Sequence, residues 1–399
     1  MADGALTARY RVTPWWVRVL VVFVASRIVT TSILLFYASI QAKNPWTEAA
    51  PGYAEYSRIW DGHWYYIISV VGYPSVLPLT ADGHVGESAW AFMPVFPAIA
   101  GVFTSATGLD FGIVASALSV LFALGTALVF YRLLIRYLGE GTALFAVVLF
   151  CVAPLSPILQ VAYAESMHLF FLALALWLLV SRHYWVLIPV VAVMALTRPS
   201  GLAFALALGL HVLYRFSKRR EDAFPPREAA AAITATVASG IAGLAWLLVA
   251  WGVTGSLTAY TDTELAWRSA YIGYQELVPF TAWWQAAQFW NQFPLGWIAV
   301  VGGALAIIGF AVLLRSRAGQ RIGVDLRFWL LSYGLYLLAV FFPQSSTFRL
   351  LVPLFPALGI IAQPRHPAYR VAIVVLSIAG QIAWVHVAWY VDGLDWTPP

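Results

Sequence analysis

Residues 57–74 read SRIWDGHWYYIISVVGYP, with an aspartate and a histidine set between two tryptophans in a chain that is otherwise almost uniformly apolar. Trp60, Trp64, Ile67, Ile68 and Val71 recur at helical spacing, which predicts an amphipathic helix over 62–71 lying in a membrane interface. The surroundings agree: of 399 residues, 61% are hydrophobic and 10% charged, and apolar stretches recur from end to end. No soluble core of this size would absorb so much apolar surface, so the expected fold class is an all-α polytopic transmembrane helical bundle. The first stretch, roughly 15–38, carries Arg27 and the pair Trp15 and Trp16 in place of a small-residue cleavage site, and is expected to remain as a membrane helix. Cys151 is the sole cysteine, so no intramolecular disulfide forms and helix packing alone holds the bundle.

A net charge of +5 would suggest a nucleic-acid partner for a soluble protein; in a membrane protein its distribution matters more, and no nucleic acid is expected. Basic clusters fall at Arg9, Arg11 and Arg18; Arg132 and Arg136; Arg182; Arg215, Lys218, Arg219, Arg220 and Arg227; Arg315, Arg317, Arg321 and Arg327; Arg365 and Arg370. Placing every cluster in the cytoplasm forces an even number of crossings between them. That gives about 11 transmembrane helices, near 15–38, 111–135, 141–153, 163–181, 185–197, 200–215, 229–252, 294–314, 327–343, 348–363 and 370–390. The amino terminus is then cytoplasmic, and the chain is expected to be a single multi-pass domain of the cell membrane over 1–399. Two long loops, 39–110 and 253–293, lie outside. WAFMPVFPAIAGVF (90–103) is apolar enough to cross, but its two prolines and the arginine parity make it a second interfacial helix. Short helices ending in APLSP (153–157) and TRPSG (197–201) are tolerated where backbone lines a cavity, here an outward-facing one.

The outer side of this topology collects Asp61, Glu87 and Glu165 with Arg58, Arg198 and Arg349. Ionisable groups at membrane depth are functional by default. A carboxylate beside aromatic rings can take a proton from a hydroxyl, while arginines clamp a phosphate through paired hydrogen bonds. Together they suggest transfer of a sugar from a phosphate-linked donor to a hydroxyl acceptor. Nucleotide sugars are cytoplasmic, so the expected donor is a lipid-phosphate sugar whose prenyl chain lies in a groove between helices. Asp61, Glu87 and Glu165 are the candidate catalytic carboxylates. Arg198, Arg349, Arg58 and His63 are candidates for the donor phosphate, and Trp60, Trp64 and Tyr65 for stacking on sugar. His63 and His84 flank the acidic loop, but no HxxxH or DxD spacing appears, and no metal or other cofactor is expected.

WDGHWYYIISVVGY (60–73) followed by AFMPVFP (91–97) resembles the first-loop pattern of the GPI mannosyltransferase II (PIG-V) family and its bacterial, actinobacterial-like relatives, within the GT-C glycosyltransferases. LSPILQVAYAES (155–166), ALTRPSG (195–201) and FRLLVPLFP (348–356) agree in order. ALTRPSG has Pro-Ser where the family has Ser-Asn, and AFMP has Met where Phe is usual. The resemblance implies a GT-C fold and inverting transfer of mannose from a polyprenyl-phosphate donor to a lipid or glycan acceptor, a phosphatidylinositol mannoside among them. It also implies that Asp61 is the catalytic base.

Each assignment has a structural alternative. Asp61 directly precedes the predicted helix, and Asp is a favoured N-cap. Glu165 stands one turn before His168 and would pair with it. Arg58 would pair at the surface with Asp61 or Glu55, and Glu87 would be a solvated loop residue. Arg198 and Arg349 would satisfy free carbonyls at broken helices. Arg27 would neutralise a carboxylate in the bundle or bond backbone carbonyls. For the whole chain the alternative is a transporter or flippase of a lipid-linked sugar, which would show paired repeats; none is visible in the sequence.

Overall fold

The computed structural model describes residues 13–392 and 398; Arg9 and Arg11 of the first basic cluster lie outside the described residues. Those residues form helices and no strand. The longer helices are α1 (Trp15–Ile40), α2 (Asp61–Val71), α3 (Val95–Thr107), α4 (Phe111–Leu134), α5 (Glu140–Val152), α6 (Glu165–Val180) and α7 (Tyr184–Ala195). They are followed by α8 (Gly201–Ser217), α9 (Pro226–Thr254), α10 (Ala259–Ile272), α11 (Ala282–Trp290), α12 (Gly296–Arg315), α13 (Val324–Val340) and α14 (Pro367–Trp384). Each segment expected to cross falls on one of these, except 348–363, where Pro353 and Pro356 divide the chain into short turns. Five spans are long and apolar enough to cross a bilayer: α1, α4, α9, α12 and Pro367–Trp389. The chain is a multi-pass membrane protein of helical architecture, and its other apolar helices run 10–17 residues.

The two ends of the bundle differ in charge. At one end Trp15 stacks on Tyr131 beneath Arg132, Arg136 bonds Ser181, and Arg182 and Arg215 both pair with Asp222. Three of the basic clusters read from sequence therefore meet there. The opposite end carries α2, α3, the 160–165 segment and the 343–349 turn, which together hold the acidic side chains of interest. The stretch read as a second interfacial helix is a short turn, Ala89–Ala91, followed by the 13-residue α3, too short to cross alone. Its Phe96 and Ala100 pack against Tyr65 and Ile68 of α2.

Two local devices position that end. The Asp110 carboxylate caps α4 by accepting from the Gly112 N–H at 2.8 Å. A β-carbon at Gly112 would stand 2.2 Å from the Ala54 carbonyl oxygen, so only glycine lets the first loop lie this close to the helix start. The second device is Arg27, buried in mid-helix. It donates to the carbonyls of Cys151 (2.7 Å) and Ser156 (3.0 Å) and to Gln160 Oε1 (3.1 Å). Pro154 stops α5 from continuing, and Arg27 supplies the donors its last turn lacks. Of its two alternatives Arg27 thus takes the carbonyls, and by doing so fixes the segment leading to Tyr163 and Glu165.

Candidate active site

Asp61 is the first residue of α2 and does not cap it. The N-cap is Trp60, at φ 57° and ψ −124°, with no side-chain capping bond. A tryptophan at positive φ is strained and persists only where its surroundings hold it. Here the Trp46 ring packs against it with centroids 4.3 Å apart. The Asp61 carboxylate, freed from capping, pairs with Arg349. Arg349 Nε lies 3.6 Å from Glu165 Oε1, and Arg198 Nη1 donates to that same oxygen at 2.8 Å. A ladder Asp61–Arg349–Glu165–Arg198 thus joins the first loop, the 343–349 turn, the start of α6 and the α7–α8 turn. Its side chains are only 19%, 10%, 4% and 15% exposed, and two carboxylates balance two guanidiniums, the condition under which buried charge is tolerated. Burial opposes the charge on Arg349, but the carboxylates of Asp61 and Glu165 more than offset it and hold the guanidinium above its ordinary pKa.

Tyr163 supports the ladder from beneath. Fully buried, it accepts the Asp61 N–H at 3.1 Å, and the Arg349 guanidinium lies over its ring at 5.6 Å. Glu165 Oε2 is buried without a hydrogen-bond partner among the described residues. The expected Glu165–His168 pair does not form, because the arginines hold Glu165. His168 Nε2 bonds Ser200 Oγ instead, at 2.9 Å, which ties α6 to the start of α8.

The remaining sequence candidates fall around the ladder without joining it. Arg58 pairs with Asp110 at 3.3 Å and lies over the Tyr66 ring, so it serves the start of α4 and meets neither Asp61 nor Glu55. His63 reaches solvent on α2, although protein packed beside it and, after that, the charge of Arg58 lower its pKa. Glu87 is a loop residue that reaches solvent, although protein packed beside it raises its pKa; the next residue, Ser88, meets Thr263 of α10 at 3.3 Å between hydroxyls. Trp64 is half-buried, stacked on Phe92 and edge-on to Trp267. Tyr65 is 2% exposed, boxed in by Phe92, Phe96 and Tyr163, and has no free face for a sugar. Trp60 keeps part of its surface. Among the described residues no group of three His, Cys, Asp or Glu side chains is arranged to hold a metal ion.

Sequence reasoning missed two residues. Tyr163 stands inside AYAES, where its aromatic character two positions before Glu165 was the available signal. Glu264, on α10, reaches solvent although protein crowds it; that crowding raises its pKa to about 7, against a hydrogen bond from Tyr260 and the charge of Arg198. The signal there was the Tyr260, Glu264, Trp267, Arg268 spacing, one face of a helix. Beside the site, a groove with a cavity volume of about 610 Å³ opens between α1 and α4, lined by Thr31, Leu35, Tyr53, Ile113, Val120 and Gln160.

No protein-family model matches the chain, and a search of curated proteins finds no match. Solved structures do resemble it. ArnT from Cupriavidus metallidurans, in a crystal structure bound to undecaprenyl phosphate, gives a TM-score of 0.51 at 14% identity, over 94% of this chain and 66% of that one. The oligosaccharyltransferase of Archaeoglobus fulgidus in its apo form gives 0.50 at 12% identity, over 94% and 57%. The chain spans less than two-thirds of the length of either. The narrower likeness to the GPI mannosyltransferase II family rests on the sequence motifs alone. What the chain shares with the two solved structures is its fold, a helical membrane architecture.

Proposed function

We propose that the chain is a membrane glycosyltransferase that moves a sugar, mannose by the motif resemblance, from a polyprenyl-phosphate donor to a hydroxyl of a lipid or glycan acceptor. The observation that carries this reading is the buried ladder Asp61–Arg349–Glu165–Arg198 at the less basic end of the bundle. The ArnT crystal structure holds undecaprenyl phosphate, a lipid phosphate of the class proposed for the donor. By the distribution of arginines the site faces away from the cytoplasm in the cell membrane, with the amino terminus cytoplasmic.

In the proposed reaction the donor phosphate docks on Arg349 and Arg198, whose guanidinium forks suit bidentate phosphate binding. Phosphate on Arg349 competes with Asp61 for the same cation, which frees the Asp61 carboxylate. Asp61 takes the proton of the acceptor hydroxyl as its oxygen attacks the anomeric carbon. The anomeric carbon–oxygen bond to phosphate breaks, and the electron pair leaves on the polyprenyl phosphate, whose charge the two arginines stabilise. In-line displacement inverts the centre, so a β-linked donor gives an α-linked product. Glu165 holds the two arginines in register, the apolar groove between α1 and α4 takes the prenyl chain, and Trp60 and Trp64 flank the sugar. No metal or nucleotide cofactor is required in this scheme.

The test is transfer of radiolabelled mannose from polyprenyl-phosphate mannose to a membrane lipid extract, by purified wild type and by Asp61→Asn. The expected result is labelling of a lipid by wild type and a loss of about 10²-fold or more in Asp61→Asn, measured at a temperature where both proteins are folded. Equal labelling by both would remove Asp61 as the base. Mannose lipid crossing a vesicle membrane without transfer would favour a flippase.

A further inference from the structure

Arg198, one of the two arginines given to the donor phosphate, stands in a turn that α6 holds at two points. Its guanidinium donates to Glu165 at 2.8 Å, in the first turn of that helix. Its backbone is held from the same helix by a second route: Ser200 Oγ donates to the Arg198 carbonyl at 3.1 Å and meets His168 Nε2 at 2.9 Å. His168 follows Glu165 by three residues, so the two side chains lie on one face of α6. The hydroxyl has a single hydrogen and a carbonyl can only accept, which makes His168 Nε2 the donor and Nδ1 the bare nitrogen. Nδ1 is buried with no hydrogen-bond partner among the described residues, so the bond to Ser200 is the polar link of the His168 side chain. His168 and Ser200 are each 2% exposed.

Ser200 is diverted from its usual role to make this link. It is the N-cap of α8, where serine ordinarily accepts from the first N–H groups of the helix, yet it makes no capping bond. Both flanks of the turn are fixed without it. The Val95 N–H donates to the Leu196 carbonyl at 3.2 Å, Ser239 Oγ donates to the Gly201 carbonyl at 2.9 Å, and a β-carbon on Gly201 would stand 2.6 Å from Gly243 Cα. Between those anchors Pro199 has no N–H to offer. Among the described residues, the hydrogen bonds and ion pairs that residues 198–200 make to another helix go to α6. Glu165 thus sets the tip of Arg198, and His168 sets its root.

We propose that His168 is a positioning residue for the donor phosphate: through Ser200 it fixes the backbone from which Arg198 reaches, and so aims the guanidinium fork that takes the phosphate. This rests on the glycosyl-transfer reading, in which Arg198 binds that phosphate. A phosphate on Arg198 competes with Glu165 for the same cation. Once it draws the guanidinium away, the bond at the root is the constraint that α6 still exerts. A binding group misplaced by about 1 Å costs about 10²-fold in rate at worst, so a relaxed root weakens the donor side of the reaction and leaves the acceptor side alone.

The experiment uses the full chain in phospholipid nanodiscs and two readouts: mannose transfer from polyprenyl-phosphate mannose to a membrane lipid extract, and binding of radiolabelled undecaprenyl phosphate, a lipid phosphate without its sugar. His168→Phe keeps a ring and removes the donor, His168→Gln puts an amide N–H near the place of Nε2, and Ser200→Ala removes the relay. His168→Phe and Ser200→Ala are each expected to weaken lipid-phosphate binding and raise the donor KM about tenfold, the equivalent of one lost hydrogen bond. The extract concentration for half-maximal transfer stays as in wild type. The double variant does no worse than either single one, because both break the same link. His168→Gln recovers most of the loss. Unchanged binding and donor KM in His168→Phe and Ser200→Ala, equal losses toward donor and acceptor, or additive losses in the double variant would each overturn the inference while transfer itself stands. A wild type that binds undecaprenyl phosphate without transferring mannose overturns the glycosyl-transfer reading alone, and the binding titration then decides the role of His168. Absence of both binding and transfer removes both. If His168→Phe does not fold, Ser200→Ala decides: unchanged lipid-phosphate binding refutes the assignment.

Discussion

Asp61 and Arg349 form the contact on which the proposed chemistry turns, and the pair was half legible in the sequence. Asp61 stood out because an acidic residue between tryptophans has no packing role in an apolar chain. Arg349 was singled out as well, as a donor-phosphate candidate, but not as the partner of Asp61; the partner considered was Arg58, only three residues away, which turns to Asp110 instead. Partner choice is decided by the tertiary approach of the 343–349 turn, and Trp60 makes that possible by leaving Asp61 clear of the capping role. Because Arg349 serves two carboxylates, its removal is more harmful than removal of either acid. Arg349→Met is expected to destabilise the protein by about 3–5 kcal/mol, as loss of one member of a buried charge network does. The double variant Asp61→Asn, Arg349→Met also removes the carboxylate that Arg349→Met strands, since Glu165 keeps Arg198, and is expected to recover part of that loss. Thermal unfolding of the two single variants and the double in nanodiscs measures it. Strict additivity would mean that the ladder is not a coupled unit.

At the scale of elements, hydropathy and arginine parity located the helices to within a few residues, because a membrane helix must carry a long apolar run whatever its neighbours. What they left open were the breaks. The 348–363 segment was read as one helix and is instead a series of short turns, since Pro353 and Pro356 supply no N–H and their freed carbonyls find partners elsewhere: Trp329 Nε1 donates to the Pro353 carbonyl at 2.9 Å. The second outer loop, 253–293, was read as a loop and not as two helices, because α10 becomes a defined element only when clamped between the first loop and α13. Arg27 shows the same dependence on context. Replacing it by Met leaves the Cys151 and Ser156 carbonyls and Gln160 without their donor in a water-poor setting. Arg27→Met is expected to lower stability by about 3 kcal/mol, two to three lost charge-assisted bonds less the relief of a buried cation. Because Arg27 steadies the segment that carries Tyr163 and Glu165, transfer activity should fall with it. Normal stability in this variant would show that water replaces the guanidinium.

At the scale of the molecule, the ladder has a purpose only if the two ends of the bundle face different compartments, and the structure sorts the charges accordingly. The contacts among Arg132, Arg136, Arg182, Arg215 and Asp222 gather one end, while α2 and the 343–349 turn gather the other. In the proposed orientation, which follows the positive-inside rule, the first end is cytoplasmic and the ladder lies at the opposite face, where a lipid-linked donor would replace a nucleotide sugar. The chain is well suited to a direct test, because its sole cysteine, Cys151, is fully buried and gives a silent background for thiol labelling. Asp82, in the first loop, and Arg220, between α8 and α9, are both exposed. In intact cells a membrane-impermeant maleimide is expected to label Asp82→Cys, and to label Arg220→Cys only after the membrane is opened. The reverse pattern would place the ladder in the cytoplasm. It would make a nucleotide sugar the natural donor, and leave the groove between α1 and α4 for the lipid of the acceptor instead.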